Sequence, residues 1–390
     1  MGCSDAEEAK RRKLEPLAAL RTPCYVVYRD IATRNAERMR LKCKELGVQL
    51  RPHMKTHKTL EGALLQTGGV KRRIVVSTLA EAKFFADGGF DDVLYAVPIT
   101  PDKLAQAAEL SAQLEAFHVL VDNAAQLQAL LDFGPPCGNT ASRWSTVLMV
   151  DCGYGRDGVD PKDPEALVLA GQIHRGACTK LVGLYTHGGH SYDAPSVDEV
   201  RAIGEAERDA VVSFAAALKD ALGPLHLDVG VGSTPTSSLP PLSGLAGVTE
   251  SHPGNFLYYD MMQVTLCSCS REDVAVRVCT RVIGNYPKHN TLLVDMGWTG
   301  ISAQGKELGY GNSLAIEGHP ELAIKVLKQE AGEVTSSDGK PLDFARYPIG
   351  TILRVLPWHS CASTHQHTCV HVLDNAEGSP VEVWQQVRGW

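Results

Sequence analysis

The chain has 390 residues, 44% of them hydrophobic and 21% charged, with a formal net charge of −7. This is enough apolar material for a sizeable core and more chain than one small domain uses, so a peptide, a disulfide-stapled miniprotein and a globally disordered protein are excluded. No apolar run approaches the roughly 20 residues that span a bilayer, the N-terminus lacks a signal-peptide core, and the acidic balance offers no field for nucleic acid. No membrane and no nucleic-acid partner is expected, which leaves a small molecule as the partner to look for.

Eleven cysteines without a repeating framework read as reduced thiols of a cytoplasmic protein rather than as a disulfide scaffold. The opening Met1-Gly2-Cys3 fails the myristoylation pattern because Ala6 stands where Ser or Thr is required. Residues 1–21 are read as a leader that can also supply a strand to a β domain.

From there short apolar, β-branched runs recur, with helical spacing of apolar residues in segments between them. The predicted strands are Val48–Pro52, Arg73–Thr78, Asp92–Val97, Phe117–Asp122, Ser145–Cys152, Leu181–Thr186, Leu225–Val231 and Val248–His252. The helices include Ile31–Leu46, Leu79–Asp87, Pro101–Leu114, Asn123–Leu131 and Val197–Leu222. Eight strands apolar enough to be covered on both faces predict an α/β protein built on a (β/α)8 TIM barrel over residues 22–265, with a doubly wound sheet as the rival arrangement. After that the texture changes. Val274–Ile283, Thr291–Val294, Tyr347–Val355 and Thr368–Leu373 are strand-like and bounded by Gly, Pro, Asn and Asp, with a turn at Thr335–Lys340. A C-terminal, mainly antiparallel β domain over residues 266–390 is expected.

A barrel places reactive groups at the C-terminal ends of its strands, and the first strand ends in Arg51-Pro52-His53-Met54-Lys55-Thr56-His57-Lys58. A partly desolvated lysine beside Arg51, His57 and Lys58 has its ammonium form disfavoured, which suits Lys55 to Schiff-base chemistry; the competing reading is a solvated basic loop. If the partner is a pyridoxal cofactor, its phosphate needs a cradle. Gly230–Thr236 follows the seventh strand and His252–Asn255 follows the eighth, each supplying glycine backbone and hydroxyl or amide donors, although either alone also makes an ordinary turn. Near the end, Pro357-Trp358-His359-Ser360-Cys361 puts His359 and Cys361 on one face if the segment is a strand, and an imidazole–thiolate pair suits zinc. His365, His367, Cys369 and His371 share one parity and form a competing cluster on spacing alone.

Together the PHMKTHK, VDCGYGRDG, THGGHSY, GSTPT, HPGN and PWHSC runs, in this order from about Thr22 to the end, resemble the eukaryotic zinc-dependent D-serine dehydratases. That family is grouped with the D-threonine aldolases and alanine racemases among fold-type III pyridoxal phosphate enzymes. The resemblance implies an alanine-racemase-like barrel and a homodimer acting on a small D-amino acid. It implies Lys55 as the lysine that holds pyridoxal 5'-phosphate and removes the α-proton. It further implies Ser233, Thr234, Gly254 and Asn255 as the phosphate cradle, Tyr185 and Tyr192 as lining tyrosines, and His359 and Cys361 as ligands of Zn2+. The expected reaction is elimination of water from D-serine to pyruvate and ammonia, with zinc easing departure of the hydroxyl. Aldolases of the group usually carry Asp where this chain has Cys361, and relatives often carry Asn at Trp358. Arg156 resembles an arginine that alanine racemases place near their lysine, and His187 and His190 are candidates for the pocket wall. The rival activities are a D-threonine aldolase, a D-threo-3-hydroxyaspartate dehydratase and an amino-acid racemase. The non-enzymatic rival, a cofactor-carrier barrel, has no counterpart to the chain beyond Leu266.

Overall fold

The computed structural model describes residues 17–138, 142–375, 378 and 380–390. After a 3-10 turn at Leu17–Ala19 come strand β1 (Cys24–Tyr28) and helix α1 (Arg29–Glu45). Alternation of strands and helices then follows: β2 (Gln49–Leu50), α2 (Leu60–Thr67), β3 (Ile74–Val76), α3 (Leu79–Asp87), β4 (Asp92–Pro98), α4 (Leu104–Gln113), β5 (Ala116–Val121), α5 (Ala124–Phe133) and β6 (Trp144–Met149). The series closes with α6 (Pro164–Arg175), β7 (Thr179–Tyr185), α7 (Val197–Leu222), β8 (Asp228–Val231), α8 (Thr234–Ser238) and β9 (Glu250–Ser251).

Strands β2 to β9 form one parallel sheet in the order β2-β9-β8-β7-β6-β5-β4-β3. A parallel bridge between His53 and Val75 joins its two ends, so the sheet curls into the expected alanine-racemase-like barrel. Val75, Leu94, Leu120, Val147, Met149 and Tyr185 pack together as its filling. Fully burying each such side chain contributes about 2 kcal/mol. Helix starts are set by side chains: Thr78 and Glu81 form a reciprocal capping box on α3, Asn123 caps α5 and Asp163 caps α6. Gly68, in the left-handed region at φ +67°, ends α2. This compact unit comprises Asn35–Leu257, Thr265–Cys269 and Val387–Trp390.

The other unit comprises the chain up to Arg34, Tyr258–Val264 and Ser270–Gln386. Its strands are β10 (Val276–Tyr286), β11 (Thr291–Val294), β12 (Ala315–Ile316), β13 (Leu322–Leu327), β14 (Gly332–Ser336), β15 (Ile352–Leu356), β16 (Cys369–Leu373) and β17 (Pro380–Gln385). With β1 they make a mainly antiparallel sheet ordered β13-β14-β11-β10-β1-β16-β17, while β15 pairs with β10 and β12. The N-terminal strand of this sheet is β1, within the segment read as barrel, and it pairs with β10 from Cys24↔Cys279 to Val27↔Val276. The CYVVY run of β1 is buried throughout, and such a run reads the same in a barrel as in the centre of an antiparallel sheet. Residues 1–16 of the expected leader lie outside the described residues. No described helix is long and apolar enough to cross a membrane.

Candidate active site and metal ligands

In the barrel unit, Lys55 sits in a short helical turn, Met54–Thr56, directly after β2. Every other residue from Arg51 to Thr59 is buried, and Lys55 alone is half-open. Backbone geometry holds it there: His53, extended before the turn, takes the Lys55 N–H on its Nδ1 at 3.3 Å. The neighbouring cations do not surround the amine as expected. Arg51 points the other way, to Asp92 (2.7 Å) and Glu250 (2.9 Å), and Lys58 pairs with Glu81 at 2.8 Å. His57 lies between Thr59 and Gln66, and burial pushes its pKa down to about 4. Buried cations need partners, and these have found carboxylates.

What does face Lys55 is a set of neutral imidazoles. Burial, then the Lys55 charge, holds His53 well below the usual histidine range, and the same two causes push His187 down to about 3. His187 is half-buried, and its Nδ1 donates to the Gly232 carbonyl at 2.7 Å. Tyr185, at the end of β7, stacks on His252 with centroids 4.5 Å apart, and Gly230 makes room, since a Cβ there would meet His252 Nε2 at 2.0 Å. His187 packs against Tyr154 and Tyr192, and Tyr154 stacks on His190. Among the described residues His190 Nδ1 is buried without a hydrogen-bond partner. Arg156 lies over the Tyr154 ring and pairs with Asp157 at 3.1 Å.

The two glycine loops come together beside the Lys55 turn. Gly254 packs so tightly on it that a Cβ would lie 2.8 Å from the His53 carbonyl oxygen, and His53 N–H donates to the Pro253 carbonyl at 3.0 Å. Asn255 N–H donates to Thr234 Oγ1 at 3.1 Å, joining the loop after β9 to the loop after β8. Ser233 Oγ lies 2.7 Å from Ser191 Oγ, which reaches the segment carrying Tyr192. Lys55, Tyr185, Tyr192, Ser233, Thr234, Gly254 and Asn255 thus belong to one chain of contacts at the strand ends. The sequence reading missed Glu207, Ser191 and the stacking role of His252.

In the sheet unit, β15 ends at Leu356, so the strand-parity argument for His359 and Cys361 does not apply. His359 is the extended residue before the helix Ser360–Thr364, and Cys361 lies in its first turn. Ser360 N–H donates to Asp260 Oδ2 at 2.8 Å, and His359 Nδ1 meets Gln304 Oε1 at 2.7 Å. The Gln304 carbonyl oxygen can only accept, so Nδ1 carries the proton in that bond. Imidazole nitrogen with thiolate is a donor set that fits zinc. Among the described residues no third His, Cys, Asp or Glu joins them in a metal-binding group. The competing cluster is dispersed. His365 ends the helix, His367 donates Nε2–H to the Gly300 carbonyl at 2.8 Å, and only Cys369 and His371 lie on β16.

The family described as "Alanine racemase, N-terminal domain" matches residues 28–261, and "Putative serine dehydratase domain" matches residues 275–373. The chain is 35% identical to a D-serine dehydratase of Dictyostelium discoideum, over 91% of this chain and 94% of that one. It is 35% identical to a D-threo-3-hydroxyaspartate dehydratase of Delftia sp. (strain HT23), over 96% and 100%. A solved cysteine-to-alanine mutant of a D-threo-3-hydroxyaspartate dehydratase, in the metal-free form, superposes with a TM-score of 0.89 at 34% identity, covering 96% of this chain and 100% of that one.

Proposed function

The chain belongs to the family of the eukaryotic D-serine dehydratases, fold-type III pyridoxal phosphate enzymes related to alanine racemase and D-threonine aldolase, and on that premise we propose that it eliminates water from D-serine to give pyruvate and ammonia. The observation that carries the reading is Lys55, the one half-open residue of an otherwise buried stretch at a barrel strand's C-terminal end.

The residues around it fit the cofactor: an amine, glycines that let backbone come close at 232 and 254, hydroxyls at 233 and 234, and stacked aromatic walls. When bound, pyridoxal phosphate supplies a sink for the electron pair at the substrate α-carbon, and zinc supplies a Lewis acid for the leaving hydroxyl. Lys55 Nζ holds the cofactor and takes the α-proton. His53 and His187, kept neutral, leave the amine as the proton acceptor and do not compete as acids. Tyr185 and Tyr192 line the cofactor, Ser233, Thr234, Gly254 and Asn255 receive its phosphate, and His359 Nε2 with Cys361 Sγ holds zinc. The 2-aminoacrylate that leaves hydrolyses to pyruvate and ammonia. We read the enzyme as a cytoplasmic homodimer, supported by the spread of its eleven cysteines without a repeating framework and by the resemblance to its family.

Assay of pyruvate from D-serine, before and after chelation and zinc restoration, tests the proposal: activity that survives in zinc-free protein removes the metal from the reaction. A second substrate, D-threo-3-hydroxyaspartate, is supported by the equal identity to the Delftia enzyme and gives oxaloacetate by the same elimination. The ratio of kcat/KM for the two substrates decides between them. An aldolase would instead release glycine and an aldehyde from D-threonine.

A further inference from the structure

Helix α7 lays Val200, Ile203, Val211, Phe214 and Leu218 onto the barrel, and Glu207 falls in the same buried stripe, 1% exposed. A buried carboxylate costs several kcal/mol unless donors are aimed at it. Two hydrogen bonds converge here, from the Gly188 N–H and from the Thr236 hydroxyl, which donates to Oε2 at 2.6 Å, and the Gly232 N–H adds its pull on the carboxylate. Gly188 belongs to the loop after β7, whereas Gly232 and Thr236 belong to the loop and helix after β8. The approach requires glycine at 188, because a Cβ would lie 2.6 Å from the Glu207 carboxyl carbon. Burial pushes the Glu207 pKa up to about 7 and these three groups pull it back, so the carboxylate is held at a cost that packing alone does not explain.

The contacts continue past Thr236. With its own hydrogen given to Glu207, Thr236 Oγ1 accepts from the Ser233 N–H at 3.2 Å and lies 3.1 Å from Ser233 Oγ, which is 2.7 Å from Ser191 Oγ. One carboxylate therefore ties two adjacent strand-end loops and fixes the hydroxyls of the second. Nothing places Glu207 itself against a ligand.

We propose that Glu207 is a positioning residue for the cofactor phosphate, holding the Gly232–Ser233 turn in the form that receives it. The inference rests on the reading that the barrel binds pyridoxal phosphate, and pyridoxal, which lacks the phosphate, separates the two. Apoprotein of the full chain is titrated with each compound and the dissociation constants are compared. Glu207→Gln keeps the volume but cannot accept at both atoms, and it should weaken pyridoxal phosphate binding about tenfold while leaving pyridoxal binding unchanged. Thr236→Val should do the same and Thr236→Ser should restore the wild-type ratio, so this pair carries the test if the Glu207 variant does not fold. Loss of affinity for both compounds in equal measure, or an unchanged ratio in the variants, would overturn the inference. Wild-type apoprotein that takes up neither compound would overturn the cofactor reading, and the inference with it.

Discussion

Lys58 Nζ and Glu81 Oε1 lie 2.8 Å apart with their side chains 7% and 0% exposed, a buried ion pair three residues beyond the proposed cofactor lysine. Lys58 is also one of few non-glycine residues in the left-handed region, at φ +54°. The other Glu81 oxygen takes the N–H groups of Ser77 (2.7 Å) and Thr78 (3.3 Å) at the start of α3. One carboxylate thus fastens the Lys55 turn to the neighbouring strand-end loop.

Removing it strands a buried ammonium. Glu81→Ala should destabilise the chain by about 3–5 kcal/mol in denaturant unfolding, and Lys58→Met, which removes the charge that needs a partner, by clearly less. Equal small effects would show that the pair contributes nothing beyond packing.

The Gly254 contact makes a sharper prediction about the site. Gly254→Ala forces its Cβ against the His53 carbonyl at 2.8 Å, backbone that cannot swing aside. The loop must move off the Lys55 turn, and pyridoxal phosphate affinity should fall at least tenfold, with a loss of about 1–3 kcal/mol in stability beside it. Wild-type affinity in this variant would separate the loop from cofactor binding.

Acid should destabilise the apoprotein, and Glu207 should blunt the effect. Burial pushes His57 to about 4, and burial with the Arg51 charge pushes His252 to about 3, whereas both titrate near 6.5 when unfolded. Between those values the unfolded chain binds more protons, so stability present above pH 6.5 is lost as pH falls, about 3 kcal/mol for the two between pH 7.5 and 5.5. Glu207, raised to about 7, binds its proton earlier in the folded state and returns about 2 kcal/mol over the same window. Denaturant unfolding should show Glu207→Gln losing about 2 kcal/mol more than wild type over this window. A variant with a shallower pH dependence than wild type would contradict the assignment of these shifts.

The metal reading is tested without turnover. Cys361→Ala should abolish retention of zinc through dialysis, and Gln304→Ala, which removes the partner of His359 Nδ1, should weaken zinc affinity about tenfold or more by competition with a chelator. Unchanged zinc content in Cys361→Ala would move the metal elsewhere.

Much of this was legible before any coordinates. Runs such as Asp92–Val97, against Asp92–Pro98 in the structure, stand out because strands covered on both faces must be apolar throughout, and Leu79–Asp87 and Val197–Leu222 are matched residue for residue because their caps are side chains. Leu322–Leu327 and Gly332–Ser336 escape because their mixed polarity fits a loop as well as an outer strand. Helix α6 escapes although Asp163-Pro164 marks its start. In the site, the lysine and the glycine loops declare themselves by residue type, but the neutralising partners of Arg51 and Lys58 come from 23 to 199 residues away and leave no local trace. Glu207 did leave one: it keeps the phase of Val200, Ile203, Val211 and Phe214, an acid at a position that pattern reserves for the core.

The central claim is that one amine carries the cofactor. Wild-type protein loaded with pyridoxal phosphate, reduced with borohydride and mapped by peptide mass should carry the phosphopyridoxyl group on Lys55, and Lys55→Ala should carry none and form no pyruvate from D-serine. The group on another lysine, or pyruvate formed by Lys55→Ala at the wild-type rate, would contradict the account.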